Sequence, residues 1–184
     1  MQLKFDIAFI NKLKAGDSLT QRLFFDKCYA RLIRVSQRYL ARMDEAEDCV
    51  MSALIKAFQN IDSYTHINDD GLYIWTKRIL VNECLMQIRK KTLFSPQPVD
   101  GYYDYELDAG IIDAIDAKYL LDLITKLPIG YRTVFNLFVI EGYSHSQIAQ
   151  MLNIQEGTSK SQLAKAKSYL KKIVTQESYG YKSS

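Results

Sequence analysis

Cations rather than nucleophiles are the chemically pointed residues of this 184-residue sequence. Between Thr158 and Lys172 stand Lys160, Lys165, Lys167 and Lys171, with no carboxylate among them. On a wheel of about 100° per residue, Leu163, Ala166, Leu170, Ile173 and Val174 share one side. Thr158, Ser161, Lys165, Ser168 and Lys172 share the other, with Lys160 and Ala164 at its margin. A helix of this kind buries one face and offers the other, N-terminus first, to a phosphate-bearing partner. A second candidate is Asp44, Glu45, Glu47 and Asp48. Their i, i+1, i+3, i+4 spacing allows at most a one-face pair for a metal, and carboxylates also suit the positive end of a helix dipole. Two histidines, His66 and His145, and three scattered cysteines, Cys28, Cys49 and Cys84, make no zinc spacing or disulfide frame. No nucleophile–base set, phosphate-binding glycine loop or HExxH is present, so neither catalysis nor a metal or other cofactor is expected.

These residues require helices to hold them. Val50, Ala53, Leu54, Ala57, Phe58 and Ile61 step by three and one, which predicts an amphipathic helix over 44–61. A similar stripe, Leu19, Leu23, Tyr29, Leu32, Ile33 and Val35, predicts a helix over 17–43. Asp62–Gly71 is polar and ends in glycine, so it reads as a loop, and Leu72–Lys91 is helical again. Further helices are expected over 111–127, stopped by Pro128, and over 131–141, stopped by Gly142. Ser144 and Gln147 have the S-x-x-Q spacing of a capping box, and Asn153 suits a left-handed stop. Residues 144–152 and 156 to about 174 therefore form two helices joined by a tight turn, a helix-turn-helix. In that motif Lys160, Ser161, Gln162 and Lys165 face base edges, while Lys167, Lys171 and Lys172 face phosphates.

Composition agrees with a folded, all-α protein: 48% hydrophobic and 24% charged residues, with only 8 glycines and 3 prolines. Net charge is +3, but it is unevenly placed: +4 over residues 1–92, −6 over 93–116 and +5 over 117–184. The middle stretch holds SPQPVDGYYDYELD and reads as a linker. The expected organisation is thus two small helical domains, 1–92 and 117–175, joined by an acidic linker at 93–116, with a frayed tail at 176–184. The N-terminus carries charge throughout, and no apolar run reaches the ~20 residues of a membrane span, so membrane insertion is not expected and a cytoplasmic location is.

Leu127–Lys172, LPIGYRTVFNLFVIEGYSHSQIAQMLNIQEGTSKSQLAKAKSYLKK, resembles region 4 of bacterial sigma factors of the extracytoplasmic-function (ECF) group. AEDCVMSALIKAF (46–58) is similar to region 2.2, and WTKRILVNECLMQIRKK (75–91) to the W-x-x-R-I-x-x-N stretch of regions 2.3 and 2.4. The resemblance covers about residues 20–174, in the family's order. It implies a dissociable initiation subunit of bacterial RNA polymerase. Domain 1–92 would dock on the β′ clamp helices through Asp48, Met51, Ser52 and Ile55. It would also recognise and help open the −10 element through Tyr64, Trp75, Lys77, Arg78, Asn82, Arg89 and Lys90, meeting the non-template single strand. The loop 62–71 takes the place where a flipped base is captured, and Asp69 and Asp70 there would repel phosphate. Domain 117–175 would sit on the β flap and read −35 duplex DNA through Thr158, Lys160, Ser161, Gln162, Lys165 and Lys167. An anti-sigma factor or another regulatory or recruiting protein is implied as a further partner.

Residue chemistry is compatible with this. Strand opening needs aromatic faces for unstacked bases and cations for the backbone. On the wheel Trp75, Asn82 and Arg89 share a face, with Ile74, Val81, Leu85 and Ile88 on another. Trp75, Tyr64 and Tyr73 can equally be packing residues, and the acidic linker can either mimic nucleic acid or merely solubilise. Met51-Ser52 stand where Gln-Glu is common in the family, and Gln162 where Arg is frequent. Two other readings remain: a self-sufficient helix-turn-helix regulator, and a sigma-like adaptor without promoter activity.

Overall fold

The structure, a computed structural model, describes residues 4–92 and 117–180, all of whose regular elements are helical. The chain divides into two compact units, Met1–Leu93 and Phe94–Ser184. The stretch 93–116, expected as linker, lies outside the described residues.

The first unit holds α1 (Ile7–Lys14), α2 (Ser18–Tyr39), α3 (Met43–Gln59) and α4 (Gly71–Thr92). Side-chain caps start the first two helices. Asp6 caps α1 by accepting from the Phe9 N–H at 2.8 Å. Asp17 caps α2 by accepting from the Thr20 N–H at 2.8 Å. Helices α2, α3 and α4 pack mutually. Phe24, Cys28, Leu32 and Tyr39 of α2 meet Val50, Ala53, Leu54 and Ala57 of α3, and Leu80, Cys84 and Leu85 of α4, in one core. The expected α3 stripe is thus the buried one, with Phe58 half-buried 6.0 Å from Phe24. Ile74 departs from the wheel and is exposed. Leu72 and Thr76 fill the core in the first turns of α4. The Thr76 hydroxyl donates to the Leu72 carbonyl at 2.9 Å, which is what lets a polar side chain be buried there.

The second unit holds α5 (Ala117–Lys126), α6 (Ile129–Phe135), α7 (His145–Leu152) and α8 (Glu156–Gly180). Residues 111–116 of the first helix expected here lie outside the described residues. Helix α6 runs on into one π-helical turn, Asn136–Ile140. Gly142, at φ 76°, reverses the chain, a conformation that glycine adopts without steric cost. The Tyr143 N–H donates to the Leu137 carbonyl at 2.9 Å to close that end. The core gathers Leu123, Ile124 and Leu127 with Val134, Phe135, Leu137 and Ile148 against Leu163, Ala166 and Leu170. Arg132 is buried beside them and donates to the Thr125 carbonyl at 3.0 Å. Burial lowers its guanidinium pKa, because a low-dielectric setting disfavours the charged form. Helix α8 continues to Gly180, beyond the end expected near 174 and into the tail expected at 176–184.

Candidate polymerase and nucleic-acid interfaces

The helix-turn-helix is assembled by local chemistry. The Ser144 Oγ accepts from the Gln147 N–H at 3.2 Å. The Gln147 Oε1 accepts in return from the Ser144 N–H at 2.9 Å, closing the capping box. Asn153 takes the left-handed conformation at φ 54°. The Ile154 N–H then bonds the Ala149 carbonyl at 3.0 Å, satisfying an orphan carbonyl at the helix end. Three residues after Asn153, α8 begins. Ile148 is fully buried and locks α7 onto α8.

On α8 the expected DNA-facing residues differ in exposure. Lys160 is exposed, in an i, i+4 pair with Glu156 at 2.8 Å. That pairing holds the Glu156 carboxyl below the usual range. Thr158, Lys165 and Lys167 are partly exposed, and Lys171 and Lys172 fully so. Ser161, expected among the readers, is buried. Gln162 lies over Gly130, where a Cβ would stand 3.2 Å from its Oε1, so its amide is directed at α6. The reason is the number of neighbours. A two-helix wheel gives α8 one partner, whereas α5, α6 and α7 all pack against it. Its buried sector therefore widens to take in Ser159 and Ser161, small enough for close approach.

One contact here had no signal in the sequence. His145 opens α7, and its ring stacks on Phe138 at 4.3 Å and 22°. Its Nδ1 shares a 2.9 Å hydrogen bond with the Oγ of Ser159, which is fully buried. Partial burial lowers the imidazole pKa, with Lys160 and Lys167 adding to the effect and Glu156 opposing it. The shift favours the neutral ring.

In the first unit Asp48, Met51, Ser52 and Ile55 all stand exposed on one face of α3, at i, i+3, i+4 and i+7. Met51 is 45% and Ile55 52% exposed. They form an apolar step bordered by a carboxylate and a hydroxyl. Two of the neighbouring acids are otherwise engaged: the Arg42 fork donates to both oxygens of Asp44 at 3.1 and 2.5 Å and lies 3.5 Å from Glu45. That arrangement holds the Asp44 carboxyl below its usual value. Among the described residues no three His, Cys, Asp or Glu side chains are grouped to hold a metal ion. The cysteines are free and buried, and burial pushes the Cys28 thiol up to about 12.

Helix α4 places Trp75, Asn82 and Arg89 on one face, seven residues apart. Asn82, Arg89, Lys90 and Arg78 are exposed, Lys77 and Trp75 partly so. Tyr64, for which the sequence leaves base contact and packing open, is packed. It is buried, with its ring 5.4 Å from that of Trp75. Its Oη sits so close to α4 that a Cβ on Gly71 would come within 2.6 Å. It is the floor under Trp75 rather than an open stacking platform. The loop that follows is tied from α1 and the segment before it. The Lys14 Nζ donates to the Tyr64 carbonyl at 3.0 Å, and the Phe5 N–H to the Asp69 carbonyl at 3.0 Å. At its tip Ile67 is 81% exposed, a residue the composition of a polar loop had hidden.

No helix among the described residues is long and apolar enough to cross a membrane. Comparison with known proteins matches residues 24–93 to the Sigma-70 region 2 family and residues 117–170 to the Sigma-70, region 4 family. The chain is 30% identical to the ECF RNA polymerase sigma factor SigW of Bacillus subtilis (strain 168) over 181 residues, covering 89% of this chain and 93% of the relative. It is 27% identical to SigM of Mycobacterium tuberculosis (strain ATCC 25618 / H37Rv), covering 87% of this chain and 80% of that one. Among solved structures, the sigma factor RpoE of Bartonella quintana, in complex with the anti-sigma factor NepR, shares the fold. The TM-score is 0.51 at 22% identity, over 84% of this chain and 96% of that one. Two sigma-70 regions in their proper order, together with the likeness to SigW, place this chain in the extracytoplasmic-function group of the sigma-70 family, a non-enzymatic class of transcription factors.

Proposed function

We propose that this chain carries core RNA polymerase to promoters through three separate surfaces. The α3 face of Asp48, Met51, Ser52 and Ile55 takes the β′ clamp helices: an exposed apolar step with a polar border is what a docking helix pair requires. The α4 face takes −10 DNA. Trp75, propped on Tyr64, supplies a rigid aromatic edge for an unstacking base, and Arg78, Arg89 and Lys90 meet phosphates. The exposed Ile67 at the loop tip stands beside the captured base. The α8 face reads −35 duplex with Lys160 and Lys165, with Thr158 and Lys167 alongside, while the second unit rests on the β flap. Ser161 and Gln162 belong to the packing in this reading. The observation that supports the proposal is that each of these side-chain sets is at least partly exposed and lies within the residues matched to sigma-70 region 2 or region 4.

An anti-sigma factor is the natural regulator, by likeness to the RpoE–NepR pair. A reconstitution tests the whole: purified bacterial core enzyme, the full chain and a genomic library, with start sites mapped. Defined start sites sharing two spaced elements are expected. A chain that does not associate with core enzyme at low ionic strength, yet shifts duplex DNA tightly by itself, would instead be a self-sufficient helix-turn-helix regulator.

A further inference from the structure

The polar tie between the two helices of the helix-turn-helix has a use beyond packing. His145 stands at the first position of α7, and Ser159 in the first turn of α8, fourteen residues on. The two helices pack together, and Ile148 of α7 and Leu163 and Ala166 of α8 are all buried apolar side chains. Apolar contacts tolerate sliding and rotation because they have no preferred direction. A hydrogen bond does have one, and this one is 2.9 Å long. Its imidazole is itself held in plane by the stack on Phe138, so the bond refers the first turn of α8 to the π-helical turn that carries Phe138. Lys160 is the residue next to Ser159, so a small rotation of α8 at this point moves its ammonium directly.

We propose that His145 is a positioning residue for promoter reading: through Ser159 it sets the angle at which the first turns of α8 present Lys160 and Lys165 to base edges. This rests on the reading of α8 as the −35 reader. Base contacts carry discrimination and depend on angle, whereas phosphate contacts carry bulk affinity and depend on it little. Loss of the tie should therefore lower discrimination and leave non-specific affinity in place.

The test uses the full chain with core polymerase. Its probes are a duplex carrying the −35 sequence from mapped start sites and the same duplex with that element scrambled. His145→Phe keeps a ring on Phe138 and removes the nitrogen; Ser159→Ala removes the hydroxyl; His145→Asn returns a polar atom near the place of Nδ1. The ratio of the two affinities should fall about fivefold in His145→Phe and in Ser159→Ala, the factor an ordinary net hydrogen bond is worth. The double variant should be no worse than either single one, because both remove the same bond. His145→Asn should recover most of the ratio. Ratios equal to wild type in soluble, cooperatively melting variants would overturn the positioning role alone. A wild-type chain that does not distinguish the two duplexes would overturn the −35 reading itself, and with it this proposal.

Discussion

The two helices proposed to face DNA would solve the same problem differently. On α8 the cations Lys160, Lys165 and Lys167 stand off a core made by Leu163, Ala166 and Leu170, so the side chains proposed to read DNA are not those that fold the unit. On α4 the aromatic Trp75 belongs to both: one side of it packs on Tyr64, and Tyr64 in turn fills the space that Gly71 leaves open. Duplex can be read by groups that touch it from outside. Opening it requires a group stiff enough to displace a stacked base, and stiffness comes from being packed. Lesions in α8 should accordingly be clean functional lesions, and lesions around Trp75 should mix function with stability.

The largest effect expected lies on neither helix. Met51→Asp with Ile55→Asp puts two carboxylates into the exposed apolar step of α3. Affinity for core polymerase should fall by at least about a hundredfold, in keeping with loss of an interface hot spot, with melting of the free chain unchanged. Titration of labelled chain into core enzyme measures it. Next comes Trp75→Ala, expected to destabilise the first unit by roughly 2 kcal/mol, less than a fully buried aromatic because Trp75 is half-buried. Denaturant midpoints read the stability, and permanganate footprints should show open DNA failing more than closed-complex formation. If Trp75→Ala left stability untouched, the contrast between the helices would collapse.

Lys160→Ala with Lys165→Ala should leave stability within about 0.5 kcal/mol of wild type. The same pair should weaken −35-dependent transcription and lower the preference for the −35 duplex over a scrambled one. Core binding should be unaffected. Ser144→Ala removes half of the capping box on a short helix. It should cost the second unit about 1 kcal/mol, seen as a lower melting midpoint. The smallest effect concerns pH. The His145 pKa is lowered in the folded state. Its neutral form therefore contributes stability that is complete above the unfolded value of about 6.5 and lost as pH falls through the lower folded one. Thermal scans between about pH 7.5 and 5 should show this slight loss, and His145→Phe should lack it.

Features fixed by near neighbours in sequence were legible in it. The Ser144–Gln147 box, the left-handed Asn153 and the α3 stripe each depend on residues within one or two turns, and each is where the pattern put it. Features fixed by how many partners surround a helix were not. Ser161 is buried and Gln162 turned toward Gly130 because three helices pack on α8, a number no wheel contains. Tyr64 is a floor rather than a platform for the same reason: its fate depends on Gly71 and Trp75, seven and eleven residues away. The His145–Ser159 bond spans fourteen residues and two helices, with no periodicity to announce it.

The two ties on the 64–70 loop reach outside the matched sigma regions, which begin at residue 24. Lys14 and the backbone of Phe5 hold the loop at both ends. A version trimmed back to Asp17, the α2 cap, would keep the α2–α3–α4 bundle yet release those anchors. It would still find polymerase, and it would start transcripts at looser, more scattered positions.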